Sequence, residues 1–106
     1  MQYSTNNIFH KIIHKQINAQ IVGENEHALA FHDTTPKAKV HILVVPKKGY
    51  IDYVDFAQHA TQEEQINFHQ LIQTIICKHT FGRGRIMFNL GNNLEVMHMH
   101  AHVMLD

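Results

Sequence analysis

Residues 96–106 read VMHMHAHVMLD, with His98, His100 and His102 at alternate positions and Met97, Met99, Ala101 and Val103 between them. Residues i, i+2 and i+4 share one face of a β-strand; on a helix the same spacing scatters them, because helical neighbours lie three or four apart. The string therefore predicts a strand with an apolar face and an imidazole face. Burying a core accounts for the first face and not for the second. Four uses for the imidazoles stand open: a solvated surface, a metal site to which His41 adds a ligand, a pH-responsive interface, and covalent catalysis. A merely solvated strand would mix Thr, Lys, Glu and Ser. A metal could take two of the imidazoles, but neighbours two apart lie roughly 6.6 Å apart at Cα, so the third splays away.

The remaining segments predict what such a strand can pair with. In NNIFHKIIHKQ, Ile8, Phe9, Ile12 and Ile13 fall at helical spacing behind Asn6 or Asn7 as N-cap. AQIVGEN and HALAFHD read as two strands around a GENE turn, DTTPKAK as a loop, and VHILVVP as a β-branched strand closed by Pro46. YIDYVDFAQHA reads as irregular with one helical turn. Thr61 and Glu64 form a capping box opening a long helix with Phe68, Leu71, Ile72, Ile75, Ile76 and His79 on one face, ended by Gly82 and Gly84. RIMFNL is then a strand, GNNLEV a turn, and the histidine strand follows. This order predicts an α+β domain: a five-stranded antiparallel sheet with two helices, one of them covering a sheet face.

A chain of 106 residues that is 44% hydrophobic and 17% charged suits one globular domain, 1–106. Nine basic residues balance nine acidic ones, so no net field favours nucleic acid or an anionic membrane. The one cysteine, Cys77, excludes an internal disulfide and fits a reducing compartment. No apolar run approaches the roughly 20 residues of a membrane span, and MQYSTNNIFHKIIHKQ lacks a signal-peptide pattern, so a cytoplasmic protein is expected. Eleven histidines are the compositional anomaly. Of these His10, His14, His27, His59, His69 and His79 belong to no motif. The PKAK and PKK charges read as solvated faces that could also steer an anion.

His98-Met99-His100-Ala101-His102-Val103-Met104 fits the His-φ-His-φ-His-φ-φ signature, where φ is apolar, of the histidine triad (HIT) superfamily. NIFHKIIHKQINAQIVGENEHALAFHDTTPKAKVHILVVPKK resembles, block by block, the opening of its Hint branch, and the likeness runs from about Asn7 to Met104. The resemblance implies a homodimer. It also implies a nucleotidyl hydrolase or transferase acting at the α-phosphate of a purine nucleotide or nucleoside phosphoramidate. By motif position His100 would be the nucleophile, His98 and His41 would complete the polar relay, and His102 would contact phosphate oxygens. Asp33 matches the residue binding the ribose hydroxyls, Ile8, Phe9, Ile12, Phe31, His32 and Thr34 the base pocket, and Asn89 an asparagine facing the phosphate. No cofactor is expected. Each has a plainer alternative: Ile8, Phe9, Ile12 and Phe31 as core, His41 as a satisfied core histidine, Asp33 as a turn former.

The likeness breaks in three places. Where many bacterial relatives carry the ligands of a structural zinc, this chain has Asn7, His10 and Gly49; one potential ligand of four predicts no zinc there. The glycine-rich turn is about two residues shorter, and Leu94-Glu95-Val96 replaces a triplet whose hydroxyl helps the leaving group. An ionised Glu95 can only accept hydrogen bonds and repels phosphate, although it stands among the nucleotide-facing residues. The sequence stops at Asp106, without the family's glycine-containing tail, which would leave the site more open. Two alternatives to the hydrolase therefore stand: a catalytically weak nucleotide-binding or regulatory module, and a metal-binding protein using the triad face.

Overall fold

A computed structural model of the chain describes residues 2–79 and 83–106. Helix α1 (Ile8–Ile13) is followed by strands β1 (Ile21–Glu24), β2 (Ala28–His32) and β3 (Val40–Pro46). Helices α2 (Tyr53–His59) and α3 (Gln62–His79) come next, then strand β4 (Gly84–Met87), a 3₁₀ turn (Gly91–Asn93) and strand β5 (Ala101–Leu105). The strands form one antiparallel sheet in the order β1-β2-β3-β5-β4. The α+β class and the five-stranded sheet are as the sequence predicts.

Alternation divides the sheet chemically. Ala28, Ala30, Ile42, Val44, Ala101, Val103 and Leu105 meet Phe56 from α2 and Phe68, Leu71, Ile72 and Ile75 from α3 in the larger core. Helix α3 starts where the sequence places it: Glu64 N–H donates to Thr61 Oγ1 and Thr61 N–H to Glu64 Oε1. The opposite face is covered only in part. Phe9 and Ile12 of α1 pack on Leu29, Phe31, Leu43 and Val45, and α1 starts at Asn7, whose side chain accepts from His10 N–H. Beyond Leu43 that face carries His41 and His102 beside Met104 and Met87. The fold thus leaves half of one sheet face for chemistry.

Five expectations need correcting. There are three α-helices, not two: YIDYVDFAQHA holds a full helix, capped by the Asp52 side chain on Asp55 N–H. Only Phe56 in it is buried, so no apolar stripe announced it. The histidine strand begins at Ala101, because Met99 N–H bonds Tyr50 C=O beyond the end of β3, and the chain bends over residues 96–98. Strand β4 ends at Met87 rather than Leu90: Phe88 turns into the larger core and Asn89 towards His102. Gly84 opens β4 instead of ending α3. Its φ of +136° and a would-be Cβ 2.2 Å from Met104 O require glycine there. Gly82 lies outside the described residues. His79 is exposed, bonding Ile75 C=O rather than joining the buried face.

Candidate functional site

The uncovered half of the sheet face and α1 together bound a cavity of about 600 Å³. Phe9, Ile12 and Phe31 form an apolar wall of the cavity and also belong to the smaller core, as the plainer reading expects. Ile8 lines the same cavity but is 51% exposed, which excludes a core role for it. His32 and Thr34 stand at the end of β2 and in the following loop, Asn89 just past β4, and Glu95 after the 3₁₀ turn; all four line the cavity. Asp33, His41, His100 and His102 supply further polar groups. Of the residues singled out from sequence, only His98 does not line it; that ring is fully buried.

Hydrogen bonds to the main chain decide which imidazole nitrogen carries a proton. Lys37 N–H donates to His41 Nδ1 at 3.0 Å, so a neutral His41 holds its proton on Nε2. That nitrogen lies 2.9 Å from His102 Nδ1 and 3.5 Å from Asp33 Oδ2. His102 Nδ1 is therefore an acceptor, and a neutral His102 carries its proton on Nε2. The Asn89 amide nitrogen is 3.3 Å from that Nε2; turning the amide over brings Oδ1 to accept the proton, and a phosphoryl oxygen could take it instead. His100 is set the other way round. Its Nδ1–H donates to His98 C=O at 2.8 Å, which leaves Nε2 with a free lone pair. The pocket thus pairs a nucleophilic nitrogen on His100 with a donor N–H on His102.

Burial favours the neutral form of His98, His100 and His102. It lowers the His98 pKa to about 4. Burial, with the neighbouring His100 and His41, lowers that of His102 to about 4 as well. His100 is also shifted down by burial, while the His98 carbonyl and the charges of Asp33 and Glu95 oppose the shift. Asp33 serves two purposes at once. Oδ1 accepts from Thr35 N–H and Oγ1, making the turn, while Oδ2 faces His41.

Asp33, His41 and His102 also bring three ligand atoms within metal-binding reach. Their protonation opposes a cation. His41 would have to move its Nε2 proton to Nδ1, where it would meet Lys37 N–H head-on, whereas a ligating histidine donates from its other nitrogen.

The HIT domain profile matches residues 14–105. The chain belongs to the HIT family. Over 95% of its length this HIT protein is 40% identical to an HIT-like protein of Azospirillum brasilense, covering 86% of that relative. A Hit-like protein of Bartonella henselae superposes with a TM-score of 0.82 at 33% identity, over 98% of this chain and 82% of that one. A HIT family hydrolase of Legionella pneumophila gives 0.81 at 28% identity, over 93% and 91%.

Sequence reasoning passed over several residues. Leu43, Met87 and Met104 line the cavity of this HIT protein; alternation with His41 and His102 marks Leu43 and Met104, and Met87 faces His102 across the β4–β5 pair. The loop from Ile17 to Gln20 adds a further wall that carries no motif. Lys37 acts through its backbone, which no side-chain pattern reveals. Tyr3 bonds His98 Nδ1 across a separation of 95 residues.

Proposed function

We propose that this HIT protein is a nucleotide-binding hydrolase of the Hint type, cleaving a nucleoside phosphoramidate or similar purine nucleotide at its α-phosphate. The observation that carries the reading is the tautomer arrangement: a lone pair on His100 Nε2 beside an N–H on His102 Nε2. In the first step His100 Nε2 forms a bond to phosphorus as the bond to the leaving group breaks, and the leaving group takes a proton from solvent, to which the attacking water of the second step returns one. His102 N–H stabilises the charge on the phosphoryl oxygens. Water then attacks phosphorus, the N–P bond breaks, and nucleoside monophosphate leaves with His100 restored. His41 positions His102, His98 positions His100, the apolar wall takes the purine, and Asp33 is the group for the ribose hydroxyls. A cavity of this size falls within the roughly 300–1,000 Å³ of small-molecule sites.

The Legionella relative's description as a hydrolase supports the reaction class. A second reading, a binding module with weak turnover, is favoured by one residue: Glu95 puts a carboxylate on the cavity that receives the phosphate. We further propose a homodimer paired along the free edge at β4, where Ile86, Leu90, Tyr53 and Val54 are exposed; sedimentation reads this directly. An exposed free thiol at Cys77 suits a reducing compartment and supports the proposal of a cytoplasmic protein. Calorimetry tests the nucleotide reading. AMP or GMP binds the wild type, and Asp33→Ala weakens binding about tenfold, the cost of about 1.4 kcal/mol. Equal affinity removes Asp33 from the site, and no binding by the wild type overturns the reading.

A further inference from the structure

Tyr3 stands apart from the cavity, yet its phenol reaches the buried ring behind the nucleophile. Asn7 fixes the direction of that bond. Its Oδ1 caps α1 at His10 N–H, so its amide nitrogen points the other way, donating to Ser4 C=O at 2.8 Å and to the Tyr3 hydroxyl at 3.1 Å. With one donor already on its oxygen, the phenol O–H is free to donate to His98 Nδ1. His98 then carries its proton on Nε2, which donates to Pro46 C=O at 2.8 Å. Both ring nitrogens of this residue are anchored, and its carbonyl takes the Nδ1 proton of His100.

Space has been made for the phenol. A Cβ on Gly49 would lie 2.5 Å from the Tyr3 ring, so any side chain there displaces it. The ring meets His98 edge-on at 5.5 Å between centroids, and Phe9 meets His100 edge-on at 4.9 Å.

We infer that Tyr3 is a positioning residue for the nucleophile: through His98 it fixes the backbone carbonyl that holds His100 with its lone pair towards the cavity. The inference rests on the proposed hydrolase reading for its kinetic consequence, but its structural core does not. Tyr3→Phe keeps the ring against Gly49 and removes only the hydroxyl. Nitrogen-15 spectra of the full chain should show His98 Nδ1 losing its hydrogen-bond donor and the His100 Nδ1–H resonance broadening. On a nucleoside phosphoramidate kcat should fall about tenfold with KM unchanged, because Tyr3 does not touch the cavity. Gly49→Ala, which moves the ring, should reproduce both effects. Spectra of His98 and His100 that both variants leave unaltered, or a kcat within about twofold of wild type, overturn the inference. If the imidazole resonances respond but wild-type protein turns over no nucleotide, the positioning stands and the hydrolase reading alone falls.

Discussion

His41 Nε2 and His102 Nδ1 lie 2.9 Å apart, and the Lys37 N–H on the other side of His41 determines that the proton between them belongs to His41. A main-chain amide cannot change its protonation, so His102 is held with its proton on Nε2. His41→Asn tests this relay. The asparagine oxygen can still accept from Lys37 N–H but does not reach His102. The expected result is a kcat/KM lower by about ten- to a hundredfold, corresponding to about 1.4–2.7 kcal/mol of transition-state stabilisation. An unchanged kcat/KM removes His41 from the relay.

The buried imidazoles set the acid behaviour. His98 has a folded-state pKa of about 4 against an ordinary value of 6.5, so between those values the unfolded chain binds the extra proton. Stability is therefore fully present above pH 6.5 and declines as pH falls towards about 4. His98 alone accounts for roughly 3 kcal/mol of that loss. Urea unfolding at a series of pH values checks it; an unfolding free energy that stays level across the window contradicts it. In the same window, while the protein stays folded, kcat/KM should hold through pH 6.5, because burial keeps His100 and His102 neutral.

Much of this was legible in the sequence, for identifiable reasons. Alternation in VHILVVP places His41 and Leu43 on the face opposite Ile42 and Val44, and the capping box fixes where α3 begins. The triad pattern gives the correct face for His100 and His102. It does not give the end of the ladder, which the Tyr50 carbonyl sets by taking Met99 N–H. Helix α2 was hidden because Phe56 is its one buried residue, and helical periodicity needs more than one. The tautomers were illegible in principle, since the backbone groups of Lys37, Pro46 and His98 determine them.

Glu95 separates an efficient enzyme from a binding module. It lines the cavity, and its carboxylate repels the anionic phosphoryl group that His100 would attack. Glu95→Ser should therefore raise kcat on a nucleoside phosphoramidate about tenfold, the effect of about 1.4 kcal/mol off the barrier. Unchanged turnover means that the carboxylate does not oppose the reaction. Nucleotide binding without turnover in both proteins favours the module.

Intact-mass spectrometry of protein quenched during turnover of a nucleoside phosphoramidate would detect the covalent bond between His100 Nε2 and phosphorus itself. The expected result is a mass increase of one nucleotidyl group, acid-labile as a phosphorus–nitrogen bond is, mapping to His100 and absent from His100→Ala together with all turnover. Full turnover by His100→Ala, or an adduct that persists in that variant, would contradict it.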